Sequence, residues 1–432
     1  MSQRIRAIAL ALAATLAVVG CGPSAETGAP TEAPAAPADG ATVLNLIMEE
    51  VPDTDIVLAL IEDFEAQHDD ISIEVEVLPF DQMRDRIITS ALAPTPTYDI
   101  IVVDNPWMVD FVNGGYLLEL DEYVAATDGY DYEDFTEPLR AIGQVDGGIY
   151  GVPFYNYALS LVYRTDVLED LGASVPSTVA DYQALVAEIG SSTDLRGLAM
   201  QPQRGYKIFE EWANWLYAFG GRLTDESGTV VLDSDEARAA LQAYIDTYAA
   251  SAPADSLNWG FDEALRAVSG GEAATMISYN WMLPTLNAPD GPSGDLAGSF
   301  AVAEVPGGVA TLGSWSWAIM SNTDAADAAW TFISWISSPE IERQRVIAGG
   351  APVRVSSMRD PEVWAQGFGQ AYYETVERIL EDAIPLATGP NAEEVIELVG
   401  EQLNAAVAGQ ISVDEAISAA AAAAAAAFAR AG

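Results

Sequence analysis

The sequence predicts an α/β fold on a chain long enough to build two lobes. Short apolar stretches alternate with amphipathic helical ones from residue 43 onward, the order expected of a largely parallel sheet with right-handed crossovers. The chain has 432 residues, half of them hydrophobic, enough for two cores. The third observation is the stretch 147–166, GGIYGVPFYNYALSLVYRTD. It opens on a Gly-Gly turn, passes through the aromatic cluster Phe154, Tyr155 and Tyr157, and becomes an alternating segment, Leu159 to Tyr163. One strand is expected to end at Pro153 and another to begin at Leu159, with an aromatic bridge crossing between them. Asp166 stands where the N-cap of a helix at 167–171 belongs, and Gly172 stops that helix.

The other elements follow in order. A strand at 43–47 precedes a helix carrying Ile56, Val57, Leu60, Ile61 and Phe64 on one face, with Asp53-Thr54-Asp55 as its capping cluster. Residues 71–77 alternate strictly and read as a strand with a solvated face or at a sheet edge. A helix at 82–92 leads to a strand at 100–103. In open sheets of this kind ligands bind beyond the carboxyl ends of the strands. Those positions are Glu49-Glu50 and Asp104-Asn105-Pro106-Trp107. After the crossover come a helix at 180–189, a short strand at 197–200, the aromatic helix 209–219 and a long helix capped by Asp233 and Glu236. A helix at 261–268 then precedes a strand at 274–279 that delivers Asn280-Trp281. Strands at 299–305 and 311–320, a helix at 324–337, a helix at 392–407 and a final alanine-rich helix from Val413 complete the chain.

The N-terminus is a separate matter. Arg4 and Arg6 precede an apolar run, residues 7–19, too short to span a bilayer and suited to a secretory signal. It ends in Val18-Val19-Gly20-Cys21, which resembles a bacterial lipobox; the resemblance implies a lipid anchor on Cys21, with residues 1–20 removed. Cys21 is the only cysteine, so no intrachain disulfide forms. Residues 22–40, rich in Ala, Pro, Thr and Glu, are expected to tether the domain. The net charge is −47, from 18 basic and 65 acidic residues spread along the chain, and Lys207 is the only lysine. Such a field repels nucleic acid and anionic headgroups and suits a solvated acidic surface at high salt.

The motifs along the chain resemble the sugar-binding proteins of ABC importers, the maltodextrin-binding-like group. Y-G-x-P followed by A-L-S-L-x-Y-x-x-D resembles that family's inter-lobe crossover. G-E-A-A-T-M-I-S-Y-N-W, V-P-G-G, L-G-S-W-S-W-A-I, A-A-W-x-F-I-x-W-x-S-S-P-E and Q-I-S-V-D-E-A-I resemble its later segments. The resemblance runs from Thr42 to about Ala420. It implies a two-lobed periplasmic-binding-protein architecture, with lobe 1 at 41–155 and 310–352, lobe 2 at 156–309 and 353–432, and a ligand cleft between them. It also implies a monomer that delivers a sugar or sugar alcohol to a membrane permease, without catalysis and without a cofactor. Relatives that bind maltodextrins carry an acid just before A-L-S-L, where this chain has Tyr157. V-P-F-Y, the aromatic helix near 207–219 and S-W-S-W look closer to the polyol- and monosaccharide-binding members.

Catalytic constellations are scarce. With one histidine, His68, and one cysteine there is no Ser-His or Cys-His system and no zinc set. No phosphate-binding loop motif is present, and Asp128–Asp134 lacks the spacing of a calcium loop and reads as a solvated turn. A two-carboxylate glycosidase stays open on composition, as does a receptor for a cation such as a polyamine using Glu49, Glu50 and Asp104. Sugars need aromatic platforms beside planar hydrogen-bonding groups. That pairing recurs at Glu49, Asp104, Asn105, Trp107, Tyr155, Asn156, Trp212, Asn280, Trp281 and Trp315, with Arg204 and Arg354 as further donors. Trp281 and Trp315 match the family's ligand-stacking tryptophans, whereas Trp317, Trp330 and Trp335 are expected to be structural.

Overall fold

Two principal sheets carry the chain in the computed structural model, which describes residues 41–253 and 255–430. The signal segment, Cys21 and the tether lie outside the described residues. The strands are β1 (Thr42–Glu49), β2 (Ile71–Leu78), β3 (Ile100–Asp104), β4 (Gln144–Val145), β5 (Gly148–Ile149), β6 (Val152–Asn156), β7 (Leu159–Arg164), β8 (Thr275–Tyr279), β9 (Phe300–Ala303), β10 (Thr311–Leu312), β11 (Ser314–Ile319) and β12 (Ile384–Pro385). The larger sheet has the order β2-β1-β3-β11-β6 and the smaller the order β8-β7-β9. Helices cover both, giving an α/β architecture of two lobes.

In the larger sheet β1 runs parallel to β2 and β3, while β11 is antiparallel to both β3 and β6. β1, β3 and β6 therefore all point the same way, and their carboxyl ends meet the start of β11. The apolar run Ile-Ile-Val-Val of β3 is wholly buried, as a strand covered on both faces must be. β2 alternates and keeps one partly solvated face, which suits its place at the sheet edge. Trp317 packs against Phe154 and Phe332 and is buried, and Trp330 is buried with its indole N–H on the Thr127 hydroxyl.

Several expectations are corrected. The aromatic segment 152–156 is itself a strand, β6, because Tyr155 and Asn156 pair with Trp315 and Ser314; the bridge between sheets shortens to Tyr157-Ala158. The stretch 311–320 is two strands, broken at Gly313, and β10 pairs with β12 instead of joining the larger sheet. Within 197–200 only Ala199 pairs, in an isolated bridge to Met276. Asp53 and Thr54 lie inside the first turn of helix Pro52–Gln67 without capping it: Thr54 donates to the Glu49 carbonyl at 2.6 Å, and Asp53 pairs with the buried Arg345. Asp166 likewise sits within helix Thr165–Leu171 and pairs with Arg164. Ser234, not Asp233, caps helix Asp235–Ser251.

Candidate functional site

The strand ends converge on one place. Register sets Trp315 of β11 opposite Asp104 at the end of β3 and Tyr155 near the end of β6. In the smaller sheet register sets Leu159, the start of β7, opposite Tyr279, the end of β8. Tyr157 lies between the two sheets. The outcome is a row of rings: Trp315 to Tyr155 at 6.4 Å between centroids, Tyr155 to Tyr157 at 6.5 Å, Tyr157 to Tyr279 at 5.8 Å and Tyr279 to Trp281 at 5.3 Å. Trp107 meets Trp315 edge to face at 5.2 Å and stacks on Phe80 at 5.4 Å, and Phe80 reaches Tyr206 at 5.9 Å.

Carboxyl groups line this row, each taking a tyrosine hydroxyl. Tyr155 donates to Glu49 at 2.7 Å, Tyr157 to Asp104 at 2.5 Å and Tyr279 to Glu210 at 3.0 Å. Burial pushes the Glu49 carboxyl up to about 7, against the opposing pull of the Tyr155 bond and the Lys207 charge. Asp104 is held well above the usual carboxylate range, chiefly by burial and further by the nearby Glu49 and Glu393 charges. Neither carboxyl is bonded to a basic side chain among the described residues. Glu210 differs: Lys207 bonds it at 3.0 Å and also donates to the Tyr279 hydroxyl.

The structure thus brings Glu49, Asp104, Trp107, Tyr155, Trp281 and Trp315 together, with Asn105 beside them. The Asn105 side-chain carbonyl is buried with no partner among the described residues, while its amide reaches the Ala387 carbonyl at 3.4 Å. Asn156 and Asn280 form a knot behind the row. Asn280 donates to the Asn156 carbonyl oxygen at 2.6 Å and to the Ala158 carbonyl at 3.1 Å, and Asn156 donates to the Pro352 carbonyl at 2.8 Å. Three passages of chain are tied there.

The other three expected residues are elsewhere. Arg354 is fully buried, its guanidinium spent on the carbonyls of Ser337, Tyr130 and Asp131, on Asp134 and on the Phe135 face at 3.8 Å. Ser356 likewise bonds Asp134, its N–H donating at 2.9 Å. Trp212 is buried inside helix Tyr206–Ala218. Arg204 is exposed and pairs with Glu401 at 2.6 Å. Sequence reasoning missed Phe80, Tyr206, Lys207, Glu210 and Tyr279. One signal was available: a lone lysine in a chain of charge −47 sits beside a tyrosine at a helix start.

Contacts between distant parts of the chain extend beyond the row. Arg84 pairs with Glu393 at 2.9 Å and Asp110 at 3.4 Å, and the Asn391 N–H donates to Asp110 at 2.9 Å. A groove of about 630 Å³ follows the outer side of β9, lined by Tyr163, Phe300, Phe368 and Tyr372; it shares no residue with the row. No group of three or more His, Cys, Asp or Glu side chains among the described residues is arranged to hold a metal ion.

Two lobes joined by repeated passages of chain, with an aromatic row edged by polar groups where they meet, are the architecture of a two-lobed solute-binding protein. Comparison with known proteins gives the family. The chain belongs to the bacterial extracellular solute-binding proteins, whose family model matches residues 50–343. It is 25% identical over 394 residues to the mannitol-binding protein of Pseudomonas aeruginosa, covering 85% of this chain and 89% of that one. It is 22% identical over 368 residues to a probable amino-acid ABC transporter periplasmic-binding protein of Sinorhizobium fredii, covering 81% and 80%. Among solved structures, maltose-bound MalE3 of T. maritima superposes with a TM-score of 0.79 at 26% identity, covering 88% of this chain and 98% of that one.

Proposed function

We propose that this protein is the substrate-binding component of an ABC importer for a neutral polyhydroxylated solute, a sugar or sugar alcohol. It is held outside the cytoplasm by a lipid on Cys21, acts as a monomer and passes its ligand to a membrane permease without chemical turnover. One observation carries the reading: the row from Trp315 to Trp281 crosses both sheets and is edged by Glu49, Asp104 and Glu210. Apolar C–H faces of a sugar lie on such rings, and its hydroxyls donate to carboxyl oxygens. A ligand contacting both ends of the row favours the closed state by contacts that neither lobe makes alone. An amino acid is a poor match, because its carboxylate needs a cation and Lys207 is already neutralised by Glu210.

A second reading has its own support. Glu49 and Asp104 have no basic partner among the described residues, which suits a cationic ligand such as a polyamine. Calorimetric titration with mannitol, glucose and spermidine at pH 6 and pH 8 separates the two. A neutral polyol is expected to bind with little change between them. A cation binds the ionised carboxyl, so its affinity would rise as pH passes the Glu49 value of about 7. Binding of spermidine alone, strengthening with pH, would overturn the sugar reading, and sustained product release from glycosides would overturn the receptor.

A further inference from the structure

We propose that the Tyr157 ring is the specificity-determining element of this cleft, standing where a second sugar ring would otherwise lie and restricting the ligand to a single six-carbon unit, cyclic or open-chain. The inference rests on the polyhydroxy reading of the site and adds the size of its ligand.

Tyr157 is the member of the row that stands on the bridge between the two sheets, after β6 and before β7. Its ring is buried and held from both lobes. The hydroxyl donates to Asp104 at 2.5 Å on the first lobe and lies 3.3 Å from the Tyr206 hydroxyl, while the ring meets Tyr279 edge to face at 5.8 Å on the second. The remaining side is Gly313. A Cβ there would overlap the Tyr157 ring, so the break between β10 and β11 makes room for it. The same break fixes the backbone, the Tyr157 N–H donating to the Gly313 carbonyl at 2.9 Å.

A phenol so placed is a built-in likeness of one hydroxylated six-membered ring: a flat body between an aromatic edge and a glycine floor, its hydroxyl shared between a carboxyl and a second hydroxyl. Cutting the side chain back would leave Asp104, Tyr206 and Tyr279 around a gap of sugar-ring size, the donor and acceptor set a second residue of a disaccharide requires. The other rings do not play this part. Trp107, Trp315 and Tyr155 pack on one another within the first lobe, and Tyr279 and Trp281 stack within the second.

The test is a calorimetric titration of the wild type, Tyr157→Phe and Tyr157→Ala with mannitol, glucose and maltitol, the ligand-free melting temperature of each being recorded. The wild type is expected to prefer a single unit over maltitol by at least about tenfold, a difference of about 1.4 kcal/mol. Tyr157→Phe keeps the ring and so keeps this preference. Tyr157→Ala is expected to gain about tenfold for maltitol while losing affinity for the single unit. Tyr157→Asn, which also lacks the ring but stays polar, must show the same gain and serves if the alanine variant does not fold. A wild type that binds maltitol as tightly as mannitol or glucose would overturn the inference. A folded Tyr157→Ala or Tyr157→Asn with the wild-type preference would overturn it equally. If no variant binds any neutral carbohydrate, the polyhydroxy reading itself falls and takes this inference with it.

Discussion

The two walls of the cleft are built from the same parts, a carboxyl group under a tyrosine hydroxyl, yet they handle charge in opposite ways. On the five-stranded side Glu49 and Asp104 sit at strand ends with no basic side chain bonded to them among the described residues, and burial raises both toward the protonated form. On the three-stranded side Glu210 is buried against Lys207, the only lysine of a strongly acidic chain. Burial favours the protonated form on one wall, whereas the other balances its carboxyl with an ion pair. A chain with 65 acidic residues thus offsets charge locally where its two sheets meet. The lesson is that net charge describes the exterior here, and the ligand meets something else.

Breaking this contrast should give its largest effect on the ion-paired wall. Lys207→Met leaves Glu210 buried and unpaired, and is expected to cost about 2–4 kcal/mol of stability, somewhat below a fully buried pair because Lys207 keeps some solvent contact. The double variant Lys207→Met/Glu210→Gln should recover much of that loss in denaturant melts. Glu49→Gln, on the proton-holding wall, should cost little at pH 6. Equal losses from Lys207→Met and Glu49→Gln would erase the distinction.

A smaller effect separates ring from ring. Trp281 is partly exposed and stacks only over the second-lobe end of the row, so Trp281→Ala should weaken binding by about 2 kcal/mol with little change in ligand-free melting. Trp315 is buried among Trp107, Phe80 and Tyr155, so its alanine variant should lose stability as well as affinity. Normal binding by Trp281→Ala would remove it from the site.

A last contrast concerns protons. Burial raises Glu49 to about 7, Asp53 to about 6 and Glu211 to about 8, so the folded state keeps protons that the unfolded chain releases at lower pH. Stability therefore falls as pH rises from about 4 to about 8. The melting temperature of the ligand-free protein should decline over that range, and the decline should be shallower in Glu49→Gln. A flat profile would mean that these carboxyls are ionised in the fold.

Much of this arrangement was legible in the sequence, for definable reasons. Alternation of apolar strands with helices gave the parallel part of the larger sheet, β1 to β3, but not the antiparallel β11 or the antiparallel smaller sheet, and the rule that ligands gather at carboxyl ends of strands led to Glu49, Asp104 and Trp107. Trp281 and Trp315 came from motif resemblance, and the row later placed them at its two ends. The misses are tertiary. Tyr206, Lys207 and Glu210 lie at a helix start, and only the docking of that helix brings them to Tyr279. Arg354 and Arg204 show the converse limit: local sequence does not tell a guanidinium consumed by backbone carbonyls, or by a surface glutamate, from one waiting for a ligand.

The strand order of the larger sheet has a consequence for how the chain is made. β11 lies between β3 and β6, yet it is encoded roughly 160 residues after β6. Until it emerges, β3 and β6 each present an unpaired edge, and the first lobe has no complete sheet. At about 5–20 residues per second that interval lasts roughly 8–30 s. The same topology that delays completion of the sheet leaves two strand edges to be shielded in the meantime.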